Sequence, residues 1–342
     1  MSETGQAVAG RFSIMLPTFV DPGSATPYAR TFEFARLVDR LGYHMGTFGH
    51  HSFTPEIGDP AAPFALLSAV AGQTERLRLG TGVYLAPLHH PVSVAEQAAT
   101  LDQISGGRAV LGVGLGYRPY EYAGFGLDFR HRGARLDELL TVIRNGWADG
   151  AFEFSGEHFE VPRSPVNPLC VQQPHVPILV GGSAPAAIRR AARLGDGWFA
   201  LPQESLSVMQ QQVAVYRQAC REAGRTPYVC MMRNAWIAPT MAQVEAEWLP
   251  RMIEFHKTFA DARATRDDRV IERLLADEPF TLEEYIQARA IAGTPDMCVR
   301  EVKRWQAAIQ PDEFSLIFGG SDDQRRLTQA VELFANEVIA AF

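Results

Sequence analysis

Short apolar runs alternate with helical patterns along this chain, and the alternation is clearest between Leu77 and Gly126. LRLGTGV and AVLGVG are apolar runs typical of strands, and VSVAEQAATLDQI between them has apolar residues at helical spacing. SGGR ends that predicted helix with two glycines, which suit a left-handed cap. Two strands joined by a helix are parallel, and parallel α/β proteins bind ligands beyond the carboxyl ends of their strands. The glycine-rich segments that follow the two strands are therefore the first candidates for a site.

Strands and helices alternate eight times between Phe12 and the C-terminus. The predicted strands are FSIMLP, HMGTFG, LRLGTGV, AVLGVG, PILVGG, DGWFAL, YVCMMRNAWIA and FSLIF. Eight such units in 342 residues predict an α/β protein with a single (β/α)8 TIM barrel, one domain over residues 1–342, rather than an open sheet. The charged stretch 241–290 predicts a helical insertion after the seventh strand. Gly150–Pro174, which holds several prolines and aromatic residues, predicts loops or a small hairpin.

Composition excludes several classes of partner. The net charge of −7 and the absence of a basic run argue against nucleic acid. The N-terminus has no cationic start with an apolar core, and no stretch reaches the roughly 18 apolar residues of a membrane span. The four cysteines are scattered without a C-x-x-C pair, as in proteins with reduced thiols. We therefore expect a cytoplasmic protein without membrane or nucleic-acid partners.

The fifth predicted strand ends at Gly181, Gly182 and Ser183, directly before a helix. Glycines let a backbone approach a ligand closely, and the free N–H groups at a helix start attract an anion. The segment has two interpretations. It is a phosphate-binding loop, or it is an ordinary tight turn in which Ser183 caps the helix.

GVGLGY, Gly112–Tyr117, has the glycines of a dinucleotide fingerprint only in part. Tyr117 stands where the third glycine belongs, and no acidic residue follows at the right distance. Gly114 and Gly116 instead suggest a glycine-lined strand end that leaves room for a flat ring. Tyr117, Arg118 and Glu121 follow in a polar loop, where they contact a ligand or form a solvated rim.

His50 and His51 follow the second predicted strand. Adjacent strand residues point to opposite faces, so at most one of them faces the barrel mouth. The chain lacks the H-x-H pair that would place two histidines inward on one strand, so we expect no metal site. A single histidine at a barrel mouth serves as a proton donor, a hydrogen-bond partner or a flavin contact, and the alternative is a solvated loop residue.

Four further residues suggest structural roles. Asp102 and Arg108 flank the turn DQISGGR, and their spacing predicts an ion pair that closes it. His89 and His90 precede Pro91, and we expect them to hold the loop before a helix.

Several segments, taken together and in order, resemble the bacterial luciferase-like monooxygenase family from about Phe12 to Phe318. The matching segments are GHHSFTPE, LRLGTGV, HHPVSVAEQAATLDQISGGR, LGVGLGY, PILVGGSAPAAIRRAARLGDGW and AGTPD. The resemblance implies a TIM barrel that binds reduced FMN, or the deazaflavin coenzyme F-420, at the C-terminal mouth.

The resemblance also implies roles for individual residues. The family's non-proline cis peptide under the isoalloxazine ring falls at Gly82–Val83, with Thr81 beside it. Its phosphate loop falls on Gly181–Ser183, and its active-site histidine falls on His50, with His51 adjacent. The strand end at Gly114, Gly116 and Tyr117 is assigned to the same cofactor.

The chain departs from the family pattern at two positions. Flavin-type members have glutamate before the two histidines and deazaflavin-type members have aspartate before a single one, whereas this chain has Gly49. Bacterial luciferase has an arginine that assists the phosphate where Leu115 stands here, which leaves the phosphate to backbone amides or to another arginine of the chain.

The implied function is a monooxygenase that takes reduced FMN from a separate reductase and uses O2 on a small organic substrate. One alternative is hydride transfer by reduced deazaflavin, and another is a flavin-binding protein without catalysis. The resemblance further implies a homodimer, and stretch 241–290 would form a lid.

Overall fold

The computed structural model describes residues 10–20, 24–53, 60–149, 151–258, 269–319 and 324–342. The strands in these ranges are β1 (Arg11–Met15), β2 (Met45–Phe48), β3 (Arg78–Thr81), β4 (Ala109–Val113), β5 (Phe152–Ser155), β6 (Glu160–Ser164), β7 (Ile178–Gly181), β8 (Gly197–Ala200), β9 (Val229–Ile237), β10 (Ile291–Gly293) and β11 (Glu313–Ile317). The α-helices are α1 (Ala29–Arg40), α2 (Pro63–Ala71), α3 (Pro91–Ser105), α4 (Pro119–Gly124), α5 (Arg132–Asp149), α6 (Pro185–Leu194), α7 (Leu206–Glu222), α8 (Met241–Thr258), α9 (Arg269–Leu275), α10 (Leu282–Arg289), α11 (Pro295–Ile309) and α12 (Gln324–Glu337).

The eight predicted strands are confirmed as β1, β2, β3, β4, β7, β8, β9 and β11. They form a closed parallel barrel surrounded by helices, which is the (β/α)8 TIM fold. The helices of the described ranges include none that is long and apolar enough to cross a bilayer.

One compact unit contains the described residues of 15–201 and 211–228. Its strands follow the order β2-β3-β4-β7-β8, and every neighbouring pair is parallel. The strands are buried along nearly their whole length, as parallel strands covered on both faces must be. Because parallel strands end at one edge, the segments that follow β2, β3, β4 and β7 meet there.

The other unit contains the described residues of 1–14, 202–210 and 229–342. Its parallel strands follow the order β10-β9-β11-β1. Phe12 of β1 stacks on Phe314 of β11 with ring centroids 5.5 Å apart. Ser13 and Glu313, each next to one of these phenylalanines, point to the opposite face, where Ser13 donates a hydrogen bond to Glu313.

Several local expectations are confirmed. Gly106 ends α3 in the left-handed conformation, with φ 66°. β5 and β6 form the antiparallel hairpin expected within Gly150–Pro174, although Gly150 itself lies outside the described residues. Helices α8, α9 and α10 lie in the described part of stretch 241–290, and residues 259–268 of that stretch lie outside the described residues. That this stretch is an insertion after the seventh strand stays a prediction.

The ion pair predicted between Asp102 and Arg108 is wrong. Asp102 is fully buried and accepts the backbone N–H groups of Val171 and Gln172, at 2.7 and 2.9 Å. Arg108 donates to the carbonyls of residues 71, 74, 77 and 105 instead. Each charge is thus satisfied mainly by backbone of distant segments, residues 171–172 for Asp102 and residues 71–77 for Arg108.

Candidate active site

His50 lies just beyond the end of β2 and is only 2% exposed. Its Nδ1 accepts the backbone N–H of Leu85 at 3.1 Å. A ring nitrogen that accepts a hydrogen bond carries no proton, so the neutral ring has its proton on Nε2. The fold therefore presents His50 as a hydrogen-bond donor through Nε2.

Three aromatic rings from the segments after β2 and β3 form a cluster in which Tyr84 stacks on both histidines and the histidines also meet each other; we call it the aromatic stack: His50, Tyr84 and His89. The ring centroids of His50 and Tyr84 lie 4.5 Å apart, and those of Tyr84 and His89 lie 4.7 Å apart. Phe64 meets the edge of the Tyr84 ring at 5.0 Å. Such contacts fix ring orientation beyond what simple burial provides.

Burial keeps the aromatic stack uncharged. Burial, together with the charges of His89 and His51, lowers the pKa of His50 to about 3. A hydrogen bond with the Ala61 backbone acts on this pKa in the opposite direction. Burial also lowers the pKa of His89 to about 4 and raises that of Tyr84 to about 12. All three rings are neutral near pH 7.

His51 points to a different partner, Glu121 of α4. Its Nδ1 lies 3.1 Å from Glu121 Oε1, and the same oxygen accepts the backbone N–H of Ser52 at 2.8 Å. Glu121 is fully buried, whereas the His51 side chain is 12% exposed. Among the described residues, Glu121 Oε2 is buried and has no hydrogen-bond partner. The solvated-rim interpretation of Glu121 is therefore wrong, because α4 turns this side chain inward.

Tyr117 lies beside this pair and is 40% exposed. The edge of its ring meets His51 with centroids 5.7 Å apart, and the Arg118 guanidinium lies 5.2 Å from the Tyr117 ring centre. Partial burial raises the pKa of Tyr117 to about 12, against the opposing charge of Arg118. Tyr117 thus forms the accessible edge of the site.

The end of β3 carries the cis peptide bond predicted at Gly82–Val83, which is confirmed. A Cβ at Gly114 would lie 2.5 Å from one Val83 methyl group, and a Cβ at Gly181 would lie 2.9 Å from the other. The room that these two glycines leave is therefore occupied by the Val83 side chain. That the strand end at Gly114 and Gly116 leaves space for a flat ring stays a prediction. Thr81 Oγ1 donates to the Gly112 carbonyl at 2.6 Å and ties β3 to β4.

In the loop between β7 and α6, Gly182 has a positive φ of 141°, which residues with a side chain rarely adopt. A Cβ there would lie 2.6 Å from the Ala187 Cβ, so glycine lets the loop pass close to the helix. Trp198 Nε1 donates to the Gly182 carbonyl at 2.8 Å, and Gln212 donates to the Ser183 carbonyl at 3.1 Å. These two bonds hold the carbonyl groups of the loop in place.

The prediction that Ser183 caps α6 is wrong. The capping position is Ala184, and it offers no side-chain hydrogen bond to the first turn. Pro185 at the first helical position has no N–H to satisfy, but the amides after it have no intrahelical partner. An anion is the kind of ligand that this helix start accepts.

A family model for luciferase-like monooxygenases matches residues 10–309. The chain belongs to the luciferase-like monooxygenase family. It is accordingly an enzyme of the flavin-dependent monooxygenase and oxidoreductase class.

Known members of the family resemble the chain over nearly its full length. The oxygenase component of the flavin-dependent trigonelline monooxygenase of Acinetobacter baylyi is 27% identical over 327 residues, which are 92% of this chain and 90% of that protein. The monooxygenase RslO1 from Streptomyces bottropensis superposes with a TM-score of 0.80 at 26% identity, over 97% of this chain and 99% of that one. The coenzyme F420-dependent tetrahydromethanopterin reductase from Methanopyrus kandleri has a TM-score of 0.78 at 19% identity, with the same coverage, and shares the fold.

The residues of this luciferase-like protein fit a flavin or a deazaflavin. Val83 offers an apolar surface at the end of β3, and the start of α6 suits a phosphate. His89 Nε2 and Glu121 Oε2 are buried polar atoms without a hydrogen-bond partner among the described residues, as expected where a ligand completes the contacts. Within those same ranges, no group of three or more His, Cys, Asp or Glu residues is placed to hold a metal ion.

Two members of this site were not singled out by the sequence patterns. His89 was assigned to a loop, but the structure packs it against both Tyr84 and His50, with His50 and His89 ring centroids 5.4 Å apart. Glu121 was one of several loop residues, and its bond to His51 joins positions that are 70 residues apart. Pro119, two residues before Glu121, could have indicated the start of α4, because proline favours the first turn of a helix.

Proposed function

We propose that this protein is the oxygenase component of a two-component, FMN-dependent monooxygenase. The observation that carries the proposal is the full-length relationship to the trigonelline monooxygenase oxygenase component. RslO1, at 26% identity, is likewise a monooxygenase, whereas the F420-dependent reductase, at 19%, supports the fold alone.

The proposed reaction balances with one molecule of O2. Reduced FMN supplies two electrons and two protons, one oxygen atom enters a small organic substrate, and the other leaves as water with oxidised FMN. A separate reductase regenerates the reduced flavin, since the sequence has no nicotinamide fingerprint. The protein itself would bind the cofactor and the substrate, orient them towards each other and exclude water from the site.

Three segments of the site would bind different parts of the cofactor. Thr81, Gly82 and Val83 would support the flavin ring, and Gly181, Gly182 and Ser183 with the start of α6 would hold its phosphate. The strand end after β4, at Gly114, Gly116 and Tyr117, would complete the cofactor's surroundings.

His50 is the proposed catalytic residue, acting as a neutral donor. Because its pKa is about 3, it is not a cation near pH 7. Its Nε2 proton would hold the reacting oxygen or a substrate oxygen in place, and Leu85 keeps the ring in that tautomer. His51, on the other side of the backbone, is the proposed second catalytic residue.

The remaining proposals concern the whole chain. We propose that it forms one functional domain, works as a cytoplasmic homodimer, and uses stretch 241–290 as the lid that excludes water. Sedimentation of the purified protein tests the dimer, and deletion of 241–290 followed by measurement of uncoupled flavin oxidation tests the lid.

The deciding experiment compares the two cofactors. Reduced FMN and reduced F-420 are each titrated anaerobically into the purified protein and then mixed with O2 while absorbance is followed. Tight binding of reduced FMN, with an oxygen-dependent absorbing species before oxidised FMN appears, supports the proposal. Binding of F-420 alone, with no oxygen-dependent species, would overturn it in favour of hydride transfer. FMN binding without oxidation of any substrate in a broad panel would indicate a flavin-binding protein instead.

A further inference from the structure

The adjacent histidines of the site are held by opposite kinds of partner. His50 Nδ1 faces a donor, the Leu85 backbone N–H at 3.1 Å. His51 Nδ1 faces an acceptor, the Glu121 carboxylate at 3.1 Å. The two rings must therefore carry their protons on different nitrogens when both are neutral.

We propose that Glu121 is the positioning residue that makes His51 the proton acceptor of the site. Glu121 keeps a proton on His51 Nδ1 and leaves the lone pair on Nε2, while Leu85 fixes His50 as the donor. The catalytic role of this arrangement rests on the proposed function. The positions of the two ring protons do not depend on the proposed function.

The surroundings of Glu121 suit this role. The side chain is fully buried, so its contacts are shielded from solvent, and Oε1 is anchored by the Ser52 backbone N–H at 2.8 Å. Among the described residues, the ion pairs give this carboxylate one basic partner, His51. A buried carboxylate bonded to Nδ1–H orients an imidazole and stabilises its protonated form.

His51 is also the more accessible of the two rings. Its side chain is 12% exposed, while His50 is 2% exposed, and the exposed Tyr117 lies at its edge. A ligand O–H can thus pass its proton to Nε2, the resulting imidazolium keeps its Nδ1–H bond to Glu121, and Nε2 later returns the proton to the ligand or to water. No proton is gained or lost over the cycle.

The first test needs no cofactor and no substrate. Protein labelled with 15N in its histidines is examined by NMR without flavin, and the two rings are assigned with the variants His50→Asn and His51→Asn. We expect His51 protonated on Nδ1 and His50 protonated on Nε2. The same tautomer on both rings would overturn the proposal, whatever the enzyme later proves to oxidise.

Two variants separate positioning from packing. Glu121→Leu has similar size but no acceptor, and it should move the His51 proton to Nε2. Glu121→Gln keeps an oxygen for both N–H groups and should retain the Nδ1 proton. Glu138→Leu is the matched control, because Glu138 also accepts backbone N–H groups, from residues 157–159, but lies outside the site. It should leave both tautomers unchanged.

Turnover gives the catalytic readout. Once a substrate is in hand, Glu121→Leu should lower kcat about 10²-fold, the size of an acid–base contribution, with little change in affinity for reduced FMN. Glu121→Gln should recover part of that loss, and Glu138→Leu should match the parent. Equal loss of kcat and flavin affinity in Glu121→Leu, or an unmoved His51 proton, would show that Glu121 only packs. Absence of FMN binding in the parent would instead reject the proposed function and leave the tautomer result standing.

Discussion

At the scale of single residues, the structure limits the hydrogen bonds that the His50 ring can offer a ligand. Its Nδ1 is occupied by Leu85 and its ring is neutral near pH 7, so only the Nε2 proton is left for a ligand. Replacing His50 with Asn keeps an oxygen near Leu85 but removes that donor. We expect kcat to fall by about 10²- to 10⁴-fold, with flavin affinity nearly unchanged.

The measurement is single-turnover oxidation beside anaerobic flavin titration. His90→Asn, on an exposed residue of the loop that carries His89, is the control and should behave as the parent. Parallel loss of flavin affinity and turnover in His50→Asn would assign His50 to cofactor binding instead.

Val83 is a second residue whose role can be isolated, because its side chain fills the space that glycines leave. Gly114→Ala would place a Cβ 2.5 Å from Val83, so we expect a loss of about 1–3 kcal/mol in the free energy of unfolding. Adding Val83→Ala should recover much of that loss. Gly72→Ala is the control, since its nearest neighbour would lie at 3.8 Å. Urea unfolding of Gly114→Ala, Val83→Ala, the double variant and the Gly72→Ala control measures the coupling between residues 83 and 114. Additive losses of the two single variants would contradict it.

At the scale of elements, Asp102 fastens α3 to the segment around Val171 and Gln172. It accepts two backbone N–H groups and the Gln172 side-chain amide, at 2.7–2.9 Å. Asp102→Ala removes a charged acceptor from two backbone N–H groups, while the Gln172 side-chain amide keeps its bond to the Ala109 carbonyl. The change should lower the free energy of unfolding by about 3 kcal/mol.

Hydrogen exchange around residues 171–172 checks this prediction directly, because those amides should lose protection before the rest of the unit does. Glu153→Ala, on an exposed position of β5, should change neither quantity. Unchanged protection at Val171 in Asp102→Ala would mean that the segment is held by other contacts.

The elements also show how far the sequence could predict the fold. Eight strands were predicted because a strand buried on both faces is a continuous apolar run, and the helices between them keep an apolar period. β10 and α4 were missed because three and six residues are too short for a period to be recognised. The start of α6 was misplaced by one residue, since Ser183 has the right chemistry for a cap but Ala184 takes the position.

At the scale of the whole molecule, the sequence predicted which strand ends carry the candidate site but not the contacts among its residues. His50, His51, Gly181 and Gly182 were singled out because they lie at strand ends, where parallel sheets gather their ligand contacts. The bond between His51 and Glu121 depends on how two loops, 70 residues apart, fold over the sheet, and no local pattern encodes it. The ion pair predicted between Asp102 and Arg108 was wrong for the same reason, because backbone groups of distant segments bind both side chains.

Acid stability is a property of the whole chain that follows from three histidines. Burial lowers the pKa of His50 to about 3 and those of His89 and His256 to about 4, from 6.5. The unfolded chain takes up these protons below about pH 6.5 while the folded chain does not, so the unfolded state binds more protons and stability falls as the pH falls. Each group contributes up to about 1.4 kcal/mol per pH unit between pH 6.5 and 4, and less for His89, which is only half-buried.

His256 allows a direct test, because it lies outside the proposed site and bonds Tyr285 through Nε2 at 2.8 Å. His256→Gln keeps a polar atom near Tyr285 but cannot titrate. Between pH 6 and 5, its free energy of unfolding should fall less steeply than that of the parent, by about 1 kcal/mol per pH unit. Gly72→Ala, which removes no titratable group, should keep the parental slope. Equal slopes for His256→Gln and the parent would mean that His256 is protonated in the folded protein, so the buried neutral ring assigned to it would be wrong.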